Sequence, residues 1–291
     1  MLVRPMRPDD LGAVEAITDE AFHDLAVRTT VADWPPPRRR SPEKSAAWRR
    51  RAAHLVKHDP GGCWVAEDDS GLLGISLSSR RDGLWALSSY AVTLRAQGKG
   101  VGTAVLDAAL AHSQGCLRGM IASSPDPRAA RRYRLAGFTL HPTMTFSGRV
   151  DRATLPVVER VRDGSATDFD LCDSVDRQMR GSAHGVDHPM IAAECRLVVT
   201  DHTTGRGYCY VQPGGGPFLL AATNRRTAQR LLWESLAAAG EDSMDFDFVT
   251  AAQEWAVDVA LTARLSVYNL KYLALRNMKP PMPYLPSGFF L

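Results

Sequence analysis

Residues 92–103 read VTLRAQGKGVGT and lead directly into AVLDAALAHS, a run of small and apolar residues with helical character. The order is strand, glycine-rich turn, helix, which commits this part of the chain to an α/β layer. At such a junction the N–H groups of the first helical turn lack intrahelical acceptors, and the positive end of the helix dipole reinforces them. A phosphate or diphosphate is the natural guest. Glycine lets that guest reach the main chain with no Cβ in the way.

Spacing narrows the choice of guest. A P-loop needs GxxxxGK followed by Ser or Thr, whereas Lys99 is followed by Gly100 and no glycine stands at the earlier offset. A dinucleotide fingerprint needs GxGxxG, whereas Gly98, Gly100 and Gly102 are spaced GxGxG. What remains is Gln97 through Gly102, of the form [Q/R]-x-x-G-x-[G/A], with a βα turn that binds nothing as the alternative. This segment resembles the acetyl-coenzyme A pyrophosphate loop of the GNAT superfamily of N-acetyltransferases. The resemblance extends back to Val92, with Thr93 next and Leu94 where the family usually has proline. A second segment, DPRAARRYRLAGF, is similar to the family's N-x-x-A-x-x-x-Y-x-x-x-G-F element. Ala129, Tyr133, Gly137 and Phe138 are in register, and Asp126 replaces the asparagine.

The resemblance implies acetyl-CoA as co-substrate, held by Val92, Thr93, Leu94, Gln97, Gly98, Lys99, Gly100, Val101, Gly102 and Thr103. It implies that Val92 to Leu94 pair with the pantetheine arm, and that a backbone N–H near Val92 polarises the thioester carbonyl. Tyr133 is then the catalytic acid that protonates the departing thiolate, the alternative being an aromatic packed against the sheet. The activity implied is direct acetyl transfer to a primary amine of a small molecule or peptide, since no cysteine follows a nucleophile motif. A catalytically inactive acetyl-CoA or acyl-CoA sensor is the alternative, because residues 84–90, LWALSSY, lack the glutamate that many relatives carry there. Glu20, Asp24, Glu67 and His23 are the candidate bases. Ser88 and Ser89 could orient a water, and the carboxylate of Leu291 could enter the site as a terminus does in some multidomain relatives.

Length and composition set the frame. With 291 residues, 45% of them hydrophobic and 23% charged, the chain suits two soluble globular domains. A net charge of +3 and a pI near 8.6 give no reason to expect nucleic acid. The five cysteines show no CxxC or Cys/His ligand spacing, so no metal is expected. The N-terminus carries no apolar signal core and no run suits a membrane span, so the expected location is cytoplasmic. Whether the chain forms a homodimer is open.

The pattern predicts an α/β (α+β) protein of two tandem GNAT-like domains, each a mixed, mostly antiparallel sheet flanked by helices. The expected divisions are 1–150 for the acetyl-CoA-binding domain, 151–278 for a degenerate copy and 279–291 for an extended arm rich in proline and aromatics. In the first domain we expect strands at 2–6, 63–67, 72–79, 84–92 and 118–123, and helices at 8–24, 42–57, 103–114 and 127–135. Leu11, Val14, Ile17 and Phe22 should face inward from the first helix. The stretch 33–44, DWPPPRRRSPEK, is a surface connection, and the resemblance makes Trp34 and its prolines a candidate lid over the acceptor cleft. The second half restarts with a strand at 157–162, a helix at 166–180, strands at 196–200 and 207–211, a helix at 226–239, a helix at 253–265 and a strand at 268–275. Its own strand-to-helix junction, Thr223 to Thr227, has no glycines, so it should bind coenzyme poorly, with Asn224 capping the helix.

Overall fold

Pro8 and the acidic pair that follows it open the first helix, and alternating apolar residues build a meander behind it. In the computed structural model, which describes residues 1–31, 34 and 36–291, the chain begins with β1 (Leu2–Pro5), α1 (Leu11–Thr29) and α2 (Pro42–His58). Next come β2 (Cys63–Asp68), β3 (Gly71–Arg81), β4 (Leu84–Val92) and α3 (Val101–Ala111). Asp33 and Pro35 of the expected lid lie outside the described residues. The chain folds as two compact units, Met1–Gly119 with Pro125–Arg132, and Met120–Ser124 with Tyr133–Leu291. β5 (Arg118–Ser123) and α4 (Pro127–Leu135) each contribute residues to both.

The first unit is an antiparallel meander in the order β1-β2-β3-β4. Val101 and Val105 of α3 bury themselves against Ala66 of β2 and Leu73 of β3, which fixes the start of the helix on the sheet. Each fully buried aliphatic side chain of this kind contributes about 1.5–3 kcal/mol. On α1 the buried residues are Val14, Ile17, Ala21 and Leu25, whereas Phe22 is 38% exposed. Phe22 was expected inside. At 100° per residue it sits one step off the stripe, and Ala21 and Leu25 take the inner face instead.

The second unit continues with β6 (Thr139–Gly148), β7 (Arg162–Asp163), α5 (Phe169–Met179), α6 (Asp187–Ala192), β8 (Arg196–His202), β9 (Gly205–Val211) and β10 (Pro217–Ala222). It ends with α7 (Arg225–Ala237), β11 (Met244–Thr250), α8 (Glu254–Thr262), β12 (Ser266–Arg276) and β13 (Tyr284–Leu285). One sheet has the order β5-β12-β6-β11, the other β13-β10-β9-β8-β7. Both are largely antiparallel and flanked by helices, as the pattern predicts. Residues 133–150, which the sequence pattern groups with the first half, carry β6, whose ladder partners β11 and β12 come from the second half.

The strand expected at 157–162 does not form; only Arg162–Asp163 pair, with β8. Pro156 removes a ladder donor, Val157 is 89% exposed, and Arg160 turns to φ 63°. The C-terminal arm is anchored within this unit. Tyr284 and Leu285 pair with β10, and Phe289, Phe290 and Leu291 are buried. Among the described residues, no helix is long and apolar enough to cross a membrane.

Candidate active site

The glycine-rich turn and the start of α3 form an open nest of main-chain donors. Gly98 and Gly100 stand at φ 78° and 85°, and a Cβ built on either would meet nothing within 4 Å, so the space beside them is clear. Gly98, Lys99 and Gly100 are all exposed. Gly100 is the N-cap of α3 and offers no side chain to its first turn, which leaves the N–H groups of Val101, Gly102 and Thr103 for an external acceptor. The corresponding helix of the second half behaves differently. There Asn224 is the N-cap of α7, and its side chain accepts from the Thr227 N–H at 3.0 Å. That helix start satisfies itself.

Gly102 answers a different constraint. A Cβ there would lie 2.4 Å from the Tyr90 hydroxyl of β4, so only glycine allows helix and strand to approach this closely. Burial pushes the Tyr90 phenol up to about 12, which keeps it protonated under the nest. The Val101 side chain is 3% exposed and belongs to the core, so only its backbone faces the turn.

Gln97 clamps the turn. Its Nε2 donates to the Val92 carbonyl at 3.1 Å, and its Oε1 accepts from Arg128 of α4 at 2.7 Å. Arg128 is held in turn by Asp126, to which it donates at 2.7 Å, and Arg132 donates to the Thr103 hydroxyl. Burial raises the Asp126 carboxyl, but its bonds from Arg128 outweigh this and hold it below the usual range. Lys99, Arg128 and Arg132 thus bring positive charge to one end of α3. Neither arginine was singled out from the sequence. DPRAARRYR shows a basic helix, and only the fold tells which arginines meet the turn.

Upstream, the strand supplies less free backbone than the resemblance implies. The Thr93 N–H donates to Leu73 at 2.8 Å, the Val92 carbonyl is taken by Gln97, and Leu94, 40% exposed, opens a short 3-10 turn. β4 also carries a bulge at Ser88. Leu87 pairs with Ser78 and Ser89 with Leu77, so Ser88 is the extra residue left outside the ladder. The hydroxyls of Ser88, Ser89 and Thr93 are buried with no hydrogen-bond partner in the structure. Buried hydroxyls without a partner are uncommon in a folded protein, and three lie along the strand that leads into the nest.

Of the candidate bases, two are already engaged. Glu67 receives Arg4 at 2.8 Å, which holds its carboxyl below the usual range, and Asp24 pairs with Arg28 at 2.9 Å. Glu20 and His23 lie half-buried on α1. Tyr133, counted with the second unit, is 4% exposed and accepts the Phe138 N–H at its carbonyl. Leu291 is 3% exposed. Among the cysteines, burial pushes Cys63 up to about 12 and Cys209 well above the ordinary thiol range, so neither offers a thiolate.

An antiparallel meander feeds an open, glycine-lined helix start, an α/β arrangement. Residues 20–138 match the acetyltransferase (GNAT) family. Residues 20–138 thus carry an acetyltransferase (GNAT) domain, an enzyme domain of that class. A proposed acetyltransferase from Pyrococcus horikoshii superposes with a TM-score of 0.76 at 14% identity, over 100% of this chain and 95% of its own. A GCN5-related N-acetyltransferase from Sphaerobacter thermophilus gives 0.60 at 14% identity, over 97% and 96%. Another from Kribbella flavida gives 0.55 at 15%, over 94% of this chain and 71% of that one. Likeness at this identity establishes the fold, and it spans both halves. No curated protein matches the chain in sequence.

Proposed function

We propose that the chain transfers an acetyl group from acetyl-CoA directly to the primary amine of a small molecule or peptide. The observation that carries this reading is the uncapped start of α3 behind Gly98 and Gly100, joined to the clamp of Gln97 and Arg128. The backbone of Gly98 through Thr103 would bind the diphosphate, and Lys99, Arg128 and Arg132 would balance its charge. The bulge at Ser88 would turn strand backbone toward a thioester carbonyl, and the hydroxyls of Ser88, Ser89 and Thr93 would meet the pantetheine arm or an ordered water.

In the reaction, the neutral amine attacks the thioester carbonyl, the C–S bond breaks, and the departing sulfur takes a proton from the Tyr133 phenol. The proton on the nitrogen, which becomes positively charged as it attacks, leaves through water ordered at Ser88 and Ser89 to Glu20 or His23 of α1, which passes it to solvent, and solvent returns a proton to Tyr133. High thiol pKa values at Cys63 and Cys209 support transfer without an acyl-cysteine intermediate. We assign the chain to the cytoplasm on the same reading.

The test follows free thiol release from acetyl-CoA across a panel of amino acids, polyamines, aminoglycosides and peptides, with acetylated product identified by mass. Amine-dependent thiol release with a matching mass gain is expected for at least one class. Coenzyme binding without release from any acceptor would favour the sensor reading and overturn this one.

A further inference from the structure

The second unit buries a set of titratable side chains for which acyl transfer has no use. α5 supplies Asp173 and Asp176, the turn after it supplies His184, and the first turn of α6 supplies His188. Asp176 and His188 are fully buried and His184 is 1% exposed. His184 Nδ1 lies 2.6 Å from Asp176 Oδ2, and His188 Nε2 lies 3.7 Å from that oxygen and 3.0 Å from Asp173 Oδ1. One donor atom each from Asp176, His184 and His188 falls within 4.8 Å of the others.

Two features distinguish this cluster from an ordinary buried hydrogen-bonded pair. The first is a carboxylate oxygen more than the imidazole protons at its centre can serve. His188 Nε2 faces two carboxylates and can carry only one proton toward them. The nearby buried guanidinium of Arg180 sends Nε and Nη2 to the carbonyls of Ser182 and Ala183, at 2.8 and 3.0 Å. The second is that the far side of two donors is held in place. Tyr208 donates to Asp176 Oδ1 at 2.5 Å, His188 Nδ1 meets the Tyr210 hydroxyl at 3.0 Å, and Phe169 stacks on the His188 ring at 5.4 Å. Outer partners of this kind fix the tautomer and direction of metal ligands.

We propose that Asp176, His184 and His188, with Asp173 at the more exposed rim, bind one divalent transition cation, zinc being the best fit. Carboxylate oxygen and imidazole nitrogen at about 2.0–2.2 Å suit Zn²⁺, and two such ligands on a tetrahedral ion stand about 3.4 Å apart. Asp176 Oδ2 stands 2.6 and 3.7 Å from the two imidazole nitrogens and the three donor atoms lie within 4.8 Å of one another, so the ion enters as His184 draws back by about 0.8 Å and the proton it shares with Asp176 is released. The absence of sulfur ligands disfavours soft monovalent ions, and two imidazoles disfavour magnesium and calcium. With ligands drawn from α5, the following turn and α6, the ion would pin three segments together.

The test uses the full-length protein, analysed for metal by inductively coupled plasma mass spectrometry, then stripped with a chelator. Zinc or cobalt is added back while thermal unfolding and visible absorption are followed. Uptake of a single cobalt per chain with intense ligand-field absorption is expected, as is a rise in Tm on adding zinc. Y210F, which keeps every ligand, should weaken binding about 10- to 100-fold. D176N should abolish binding, and Y210F carries the test if D176N does not fold. Stripped protein that takes up neither ion overturns the proposal, and so does binding that Y210F leaves unchanged.

Discussion

Phenylalanine in place of Tyr133 will lower kcat by about 10²- to 10⁴-fold, the range for losing a positioned general acid. Acetyl-CoA affinity should hardly change. The substitution removes one oxygen from a residue that is 4% exposed and keeps its volume, so the packing of α4 against its surroundings persists. The departing sulfur would then leave as a thiolate and take its proton from water, which slows the chemical step and spares binding. A kcat near wild type would assign Tyr133 to packing alone. Presteady-state thiol release at saturating acceptor reads the effect on the right step.

Valine at position 100 should raise the Kd for acetyl-CoA by about tenfold or more. Gly100 holds φ 85° at the N-cap of α3. A residue with a Cβ incurs about 1–2 kcal/mol there, and a β-branched one is a steric outlier. The chain can relieve that strain only by turning Gly100 out of the left-handed region, which rotates the N–H groups of the nest away from a common point. A loss of about 1.4 kcal/mol in binding corresponds to a factor of ten. Gly12→Ala is the control, because Gly12 sits on the exposed face of α1 with nothing within 4 Å of its Cβ position. That change should leave coenzyme affinity untouched.

What the sequence made legible was local. The strand, turn and helix around Gln97 to Gly102, the Asn224 cap and the meander from Cys63 to Val92 all follow from residues adjacent in the chain, where turn chemistry and periodicity act. What it hid depends on partners far away in sequence. Val157 and Val158 have strand-like side chains, yet Val157 is left 89% exposed and only Arg162 and Asp163 join the ladder. The strand Thr139–Gly148 alternates polar and apolar side chains, but Pro142 argues against a ladder position, and it takes its place through β11 and β12, about a hundred residues on. Arg128 reaches Gln97 across 31 positions, which no motif encodes. The aspartate and histidine cluster escaped for a chemical reason as well. Cysteine spacing is the metal signature a sequence shows most readily, whereas Asp173, Asp176, His184 and His188 form a sulfur-free set that only the fold brings together.

The measurement that bears most directly on the account is a crystal structure of the chain grown with coenzyme A. The diphosphate should lie against the backbone N–H groups of Gly98 through Thr103, within reach of Arg128. A diphosphate seated elsewhere, or a nest left empty at saturating coenzyme, would contradict the assignment.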